Sequence, residues 1–188
     1  MSRVVESFRE IESHLTRLNH ASVRRLRPGI GAQDVRSRVS LPLAAEVRDL
    51  YACHDGTDDS GLLLGQVWIF PLCVFLPLET GVSTHAQFSE FDPRLPADLF
   101  PIFQSGGGGY HLTQATDRAE APITRIELSA GEEDVVYASL SDMLETMYSA
   151  FRSGLLSVGA QGQLSMNFVA FHQLARSLNP SIEFWTRD

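Results

Sequence analysis

The chain has 188 residues, 44% hydrophobic and 20% charged, with 15 basic and 23 acidic side chains and a net charge of −8. This describes an ordinary folded chain of one domain, with or without an appendage. Every basic residue is Arg and there is no Lys, which excludes P-loop NTPases, protein kinases, pyridoxal-phosphate enzymes and Schiff-base aldolases, each of which needs a Lys amine.

Charge is unevenly spread. Residues 1–48 hold nine Arg against five acids, a net of +4; residues 49–188 hold six Arg against eighteen acids, a net of −12. The long acidic part repels nucleic acid and suits either a basic protein partner or a solvated surface. Two cysteines, Cys53 and Cys73, make no disulfide framework and read as reduced thiols of a cytoplasmic protein. The N-terminal MSRVVESFREIESHL lacks the unbroken apolar core of a signal peptide. The longest apolar run, Val67 to Leu78, is broken by Pro71 and Pro77 and is too short for a bilayer, which takes about 20 residues.

In chain order, Val4, Phe8, Ile11, Leu15 and Leu18 mark one face of an amphipathic helix over roughly 3–19. RRLRPGIG breaks it, and a weakly patterned short helix follows around 32–39. LPLAAEVRDLYACHDG reads as a helix with Pro42 in its first turn, Leu43, Val47, Leu50 and Tyr51 as its buried stripe, and Gly56 as its terminator. QVWIFPLCVFLPLE reads as strand interrupted by proline. LFPIFQSGGGGYHLTQA reads as a hairpin around Gly106 to Gly109. ITRIEL and DVVYASL read as strands joined by the turn SAGEED. Leu140, Met143, Leu144, Met147, Tyr148 and Phe151 mark a helix, capped by Ser139 with Asp142 three residues on. Residues 155–162 read as a connector and 163–178 as a second amphipathic helix, with Leu164, Phe168, Phe171, Ala175 and Leu178 on one face. Asn179 and Pro180 stop it, and IEFW reads as an extended piece. Helices, then strands, then helices predict an α+β fold with a mainly antiparallel sheet flanked by N- and C-terminal helices.

Chemistry is sparse. SGGGGY lacks the Lys-Ser/Thr of a phosphate loop and is followed by a strand, so it reads as a hairpin turn. The six histidines, at 14, 20, 54, 85, 111 and 172, form no metal-ligand motif, and the Cys53–Asp59 stretch does not fit a Ca²⁺ loop. No catalytic motif stands out, so no catalytic residue, metal or cofactor is expected. A cluster of His54, Asp55 and His111 would be the best seed for an enzyme of unknown class. Arg24, Arg25 and Arg27 read as a basic segment folding against the acidic body rather than a nucleic-acid surface.

Five stretches taken together resemble the SUKH superfamily. They are LRPGIGAQDV, LPLAAEVRDLYACHDG, WIFPLCVFLPLE, LFPIFQSGGGGYHL and VVYASLSDMLETMYSAFRSG, in that order across residues 22–154. The resemblance implies a single α+β domain, taken as 1–154; residues 155–188 lie outside it and read as a helical extension packed on that domain, its apolar stripe fitting either packing on the sheet or dimerisation. It implies that Leu41, Pro42, Tyr51, Gly56, Phe70, Leu76, Pro101 and Gly108 serve the fold. It also implies a non-catalytic protein-binding module, of which many bacterial members are immunity proteins that neutralise toxins, often nucleases. The partner would be a basic toxin domain, with no nucleic acid or membrane involved and the oligomeric state left open. A regulatory or scaffold protein binding a cellular partner is the alternative on the same fold. The rim acids expected to meet the partner are Asp58, Asp59, Glu132, Glu133 and Asp134, with Trp68 either an aromatic anchor or a core residue.

Overall fold

The computed structural model describes residues 2–91, 97–128 and 130–187. Helix α1 (Arg3–Arg17) buries Val4, Phe8, Ile11 and Leu15 at spacings of four and three, as the periodicity predicts. A 3₁₀ turn at Ala21–Arg25 leads into strand β1 (Leu26–Pro28), then α2 (Ala32–Arg38) and α3 (Ala45–Cys53). Pro42 lies ahead of α3 rather than in its first turn, because the helix is entered at Ala44. Helix α3 does not stop at Gly56. It passes at His54 into β2 (His54–Thr57), which pairs antiparallel with β1.

The stretch that reads as strand interrupted by proline is divided further. It holds a helical turn, α4 (Leu64–Val67), a tight turn, and only a two-residue strand, β3 (Val74–Phe75). The closing Leu78 and Glu79 instead begin α5 (Leu78–Phe91), a helix the apolar pattern does not announce. Ten of its fourteen residues are small or polar, and a cap from outside the helix starts it.

A five-stranded antiparallel sheet follows in the order β3, β4 (Leu99–Gln104), β5 (Gly109–Gln114), β6 (Ile123–Glu127), β7 (Glu132–Tyr137). Pro101 sits in β4, between two paired strands. The register shifts between Pro101 and Phe103, and this irregularity accommodates a residue that cannot donate to the ladder. The Gly-rich segment is the β4–β5 hairpin turn, with Gly108 at φ +85°.

Helix α6 (Leu140–Arg152) starts at the expected cap: the Asp142 N–H donates to Ser139 Oγ at 3.0 Å. The expected connector is a hairpin, β8 (Leu156–Val158) with β9 (Leu164–Met166), so Leu164 belongs to a strand. Helix α7 runs only Phe168–Leu178, and the expected extended IEFW is a helical turn, α8 (Glu183–Thr186).

One face of the sheet, with α1, α3, α6 and α7, encloses the main core, in which Phe8, Tyr51, Phe75, Phe103 and Tyr137 are fully buried. The C-terminal segment shares this core through Leu156, Leu164, Phe171, Ala175 and Trp185. Trp185 Nε1–H donates to the Val136 carbonyl at 2.6 Å, tying α8 to β7. The opposite face carries a smaller cluster of Leu99, Leu112 and Ile126 under Phe88 of α5. The fold is α+β, and no helix among the described residues is long and apolar enough to cross a membrane.

Candidate functional site

Two acids ahead of Asp58 are turned inward. Glu46 is 4% exposed, and its carboxylate accepts from four donors: the backbone N–H groups of Ala121 (3.1 Å), Leu140 (3.0 Å) and Ser141 (2.9 Å), and Ser141 Oγ (2.9 Å). With the Ser139 cap, it satisfies the first-turn donors of α6 and places a negative charge at that helix's N-terminus. Glu46 falls within the apolar stripe of α3, one position before Val47 and four before Leu50. An acid in a buried stripe is a signal the sequence does carry.

Asp55 is 5% exposed; its Oδ1 accepts from the Leu78 N–H at 2.8 Å and its Oδ2 pairs with Arg27 at 3.2 Å. It thus caps α5 from outside the helix. Beside it, Tyr51 Oη donates to the Leu76 carbonyl. Gly56, at φ +73°, lies so close to Pro77 that a Cβ would overlap the Pro77 backbone at 2.2 Å. The segments YACHDG and FLPLE therefore clasp each other through Tyr51, Asp55 and Gly56. Gly29 of the Pro-Gly loop packs equally closely on the end of α3, where a Cβ would meet the Ala52 carbonyl.

The six residues expected to meet a partner are dispersed. Asp58 and Asp59 follow β2, beyond the β3 edge of the sheet, whereas Glu132, Glu133 and Asp134 lie on β7, the opposite edge. Four interstrand spacings of about 4.8 Å, roughly 19 Å, separate β3 from β7, and the first group lies beyond β3. Asp58 pairs with Arg25 at 3.2 Å and accepts from the Ser60 N–H, and hydrogen bonds from Ser60, then Arg25, hold its carboxyl below the usual range. Asp134 pairs with Arg187 at 2.6 Å. Asp59 and Glu133 are exposed. The Glu132 side chain lies outside the described residues. Trp68 is partly buried against the main core, with its Nε1 enclosed and without a hydrogen-bond partner.

The basic segment does fold onto the acidic body: besides Arg25 and Arg27, Arg3 of α1 reaches Glu145 (2.7 Å) and Asp142 (3.3 Å) of α6. His54 and Asp55 share Arg27, through its carbonyl and its guanidinium, whereas His111 stands apart from both. The His54 ring meets the Arg27 carbonyl and Glu12, Asp55 meets Arg27 and Leu78, and His111 stands on β5 with Nδ1 3.6 Å from Cys73 Sγ. Burial, reinforced by Arg125, lowers the His111 pKa to about 4, and burial raises the Cys73 thiol well above its ordinary value. Cys53 and Cys73 are both free thiols, and burial also raises Cys53. Among the described residues no group of three or more His, Cys, Asp or Glu side chains could hold a metal.

Two cavities flank the sheet. A polar one of about 280 Å³ lies between Thr57, Asp59, Thr80, Ser105 and the Gly-rich turn. A largely apolar one of about 310 Å³ lies between α7, α8 and the sheet, lined by His111, Arg125, Met147, Met166, Phe171 and Trp185 among others. The second is not visible in the sequence, because its walls come from eight stretches of chain between Pro71 and Trp185. Phe168, expected on the buried face of its helix, is 54% exposed at the cavity mouth. No protein-family model matches the chain, and a search of curated proteins finds no match to it.

Proposed function

We propose that this chain is a non-catalytic protein-binding module that binds and neutralises a basic toxin domain, as an immunity protein of the SUKH type does. One observation carries the reading. Residues 49–117 contain nine acids and a single Arg, Arg94. Of these acids Asp59, Glu79, Glu90, Asp98 and Asp117 are exposed, on the turn after β2, on α5, at the entry to β4 and after β5. Arg25 and Arg27 beside them are engaged by Asp58 and Asp55, so exposed acids in excess attract a basic partner at long range and raise its association rate, an effect that salt weakens. A nuclease toxin fits, since its substrate cleft is basic. The motif residues support the same reading from the other side: Tyr51, Asp55 and Gly56 are engaged in holding the chain together, which leaves the exposed acids for recognition.

The test is rescue. Basic secreted polypeptides from the organism that makes this chain are expressed alone and together with it. The proposal expects one that arrests growth alone and is tolerated with the chain at equal expression. If no arrest is relieved by the chain, the proposal fails.

A further inference from the structure

The cavity beneath α7 and α8 has the features of a ligand site, and its chemistry is independent of the toxin reading. Its volume of about 310 Å³ is at the small end of the ~300–1,000 Å³ range of small-molecule pockets. One wall is aromatic and thioether. Trp185 is fixed by its bond to Val136 and packed by Phe171 and Phe184 at ring-centroid distances of 5.9 and 4.8 Å. Met147 and Met166 complete the wall with adaptable side chains.

The lips of the cavity are apolar and exposed. Phe168 is 54% exposed on one side and Leu72 44% on the other. Leu72 is held at φ +68° in a tight turn closed by the Cys73 N–H on the Phe70 carbonyl at 2.9 Å. Gly or Asn is usual at such a position. A leucine there sustains backbone strain, and the side chain so displayed faces the cavity rather than the core.

The polar end is Arg125 on β6. Its Nη2 donates to Glu127 Oε1 at 2.8 Å, and its guanidinium carbon lies 5.9 Å over the Phe184 ring. Nε and Nη1 have no partner among the described residues, so the guanidinium can take a second acceptor. Glu127 also lines the cavity and takes one edge of the guanidinium, so a ligand acceptor would add to that pair at Nε and Nη1, whereas a purely apolar ligand would leave those N–H groups unpaired. We propose that this cavity binds a small amphiphilic anion, with an apolar body of about ten carbons against the Met and aromatic wall and a carboxylate on Arg125.

The probe is decanoate, titrated below its micellar range into the full chain carrying ¹³C-methyl methionine. Met147 and Met166 are expected to shift saturably at one equivalent, with Met143, one turn earlier on α6 and outside the lining, moving least. Arg125→Gln should weaken decanoate about tenfold or more, through loss of a charge-assisted bond, and leave decanol within about threefold. Arg125→Lys, which keeps the charge, should retain most of the decanoate affinity. Absence of a saturable shift in the wild-type chain would overturn the proposal, as would equal weakening of decanoate and decanol by Arg125→Gln. The wild-type titration is decisive whether or not a variant folds.

Discussion

Glu46 and Asp55 have the same chemistry as Asp59 and Glu133 and opposite surroundings. The first pair is nearly sealed, and each carboxylate is bound by backbone N–H groups that begin a helix. The second pair stands in water on two edges of the sheet. Acids that look alike in sequence thus divide into those that build the fold and those left exposed to solvent. The division is made by where the helix N-termini fall. Asp58 and Asp134 are intermediate: they lie at the surface but are held by Arg25 and Arg187.

The sharpest way to break this comparison is Glu46→Ala. It strands three buried N–H donors and a buried hydroxyl, and should lower unfolding free energy by about 3–5 kcal/mol, read from urea denaturation. A loss under about 1 kcal/mol would mean that α6 finds another cap. Asp55→Ala removes one buried bond and one half-exposed ion pair, and should cost about 2 kcal/mol, with hydrogen-exchange protection lost first at the start of α5.

Smaller again is the acid sensitivity of His111. Its folded pKa of about 4 lies below the unfolded value of 6.5, so between them the unfolded chain binds the extra proton. Stability therefore falls as pH drops from about 6.5 towards 4 and is retained above that window. His111→Asn should flatten the dependence of stability on pH across that window, read from urea denaturation at a series of pH values. An unchanged slope would place the acid sensitivity elsewhere. Least of all, Asp59→Arg with Glu133→Arg should move stability by under about 0.5 kcal/mol while slowing association with a basic partner at low salt. Reversing Asp58 and Asp134 as well should cost more stability, because it sets like charges against Arg25 and Arg187.

Much of the architecture was legible because it is written in local periodicity. The four-and-three spacing of α1, the Ser139 cap of α6, and the β4–β5 and β6–β7 hairpins all follow from residues within a few positions of one another. What was not legible depends on contacts distant in sequence. Helix α5 begins at Leu78 because Asp55, 23 residues earlier, caps it, and its own sequence lacks a strong apolar stripe. The β8–β9 hairpin consists of three-residue strands, too short for a period to show. Glu46 was visible as an acid inside an apolar stripe, yet its partners at 121, 140 and 141 were not. The apolar cavity was least legible of all, since Leu72, Arg125, Met147, Phe168 and Trp185 meet only in three dimensions.

The most direct measurement is affinity capture from the native lysate, at low salt, on the wild-type chain and on an Asp59→Arg, Glu90→Arg variant, both acids belonging to the exposed set of residues 49–117, side by side. A stoichiometric basic polypeptide is expected on the wild-type chain, reduced on the variant and released at high salt. Equal capture on both, or partners that are neutral and insensitive to salt, would contradict it.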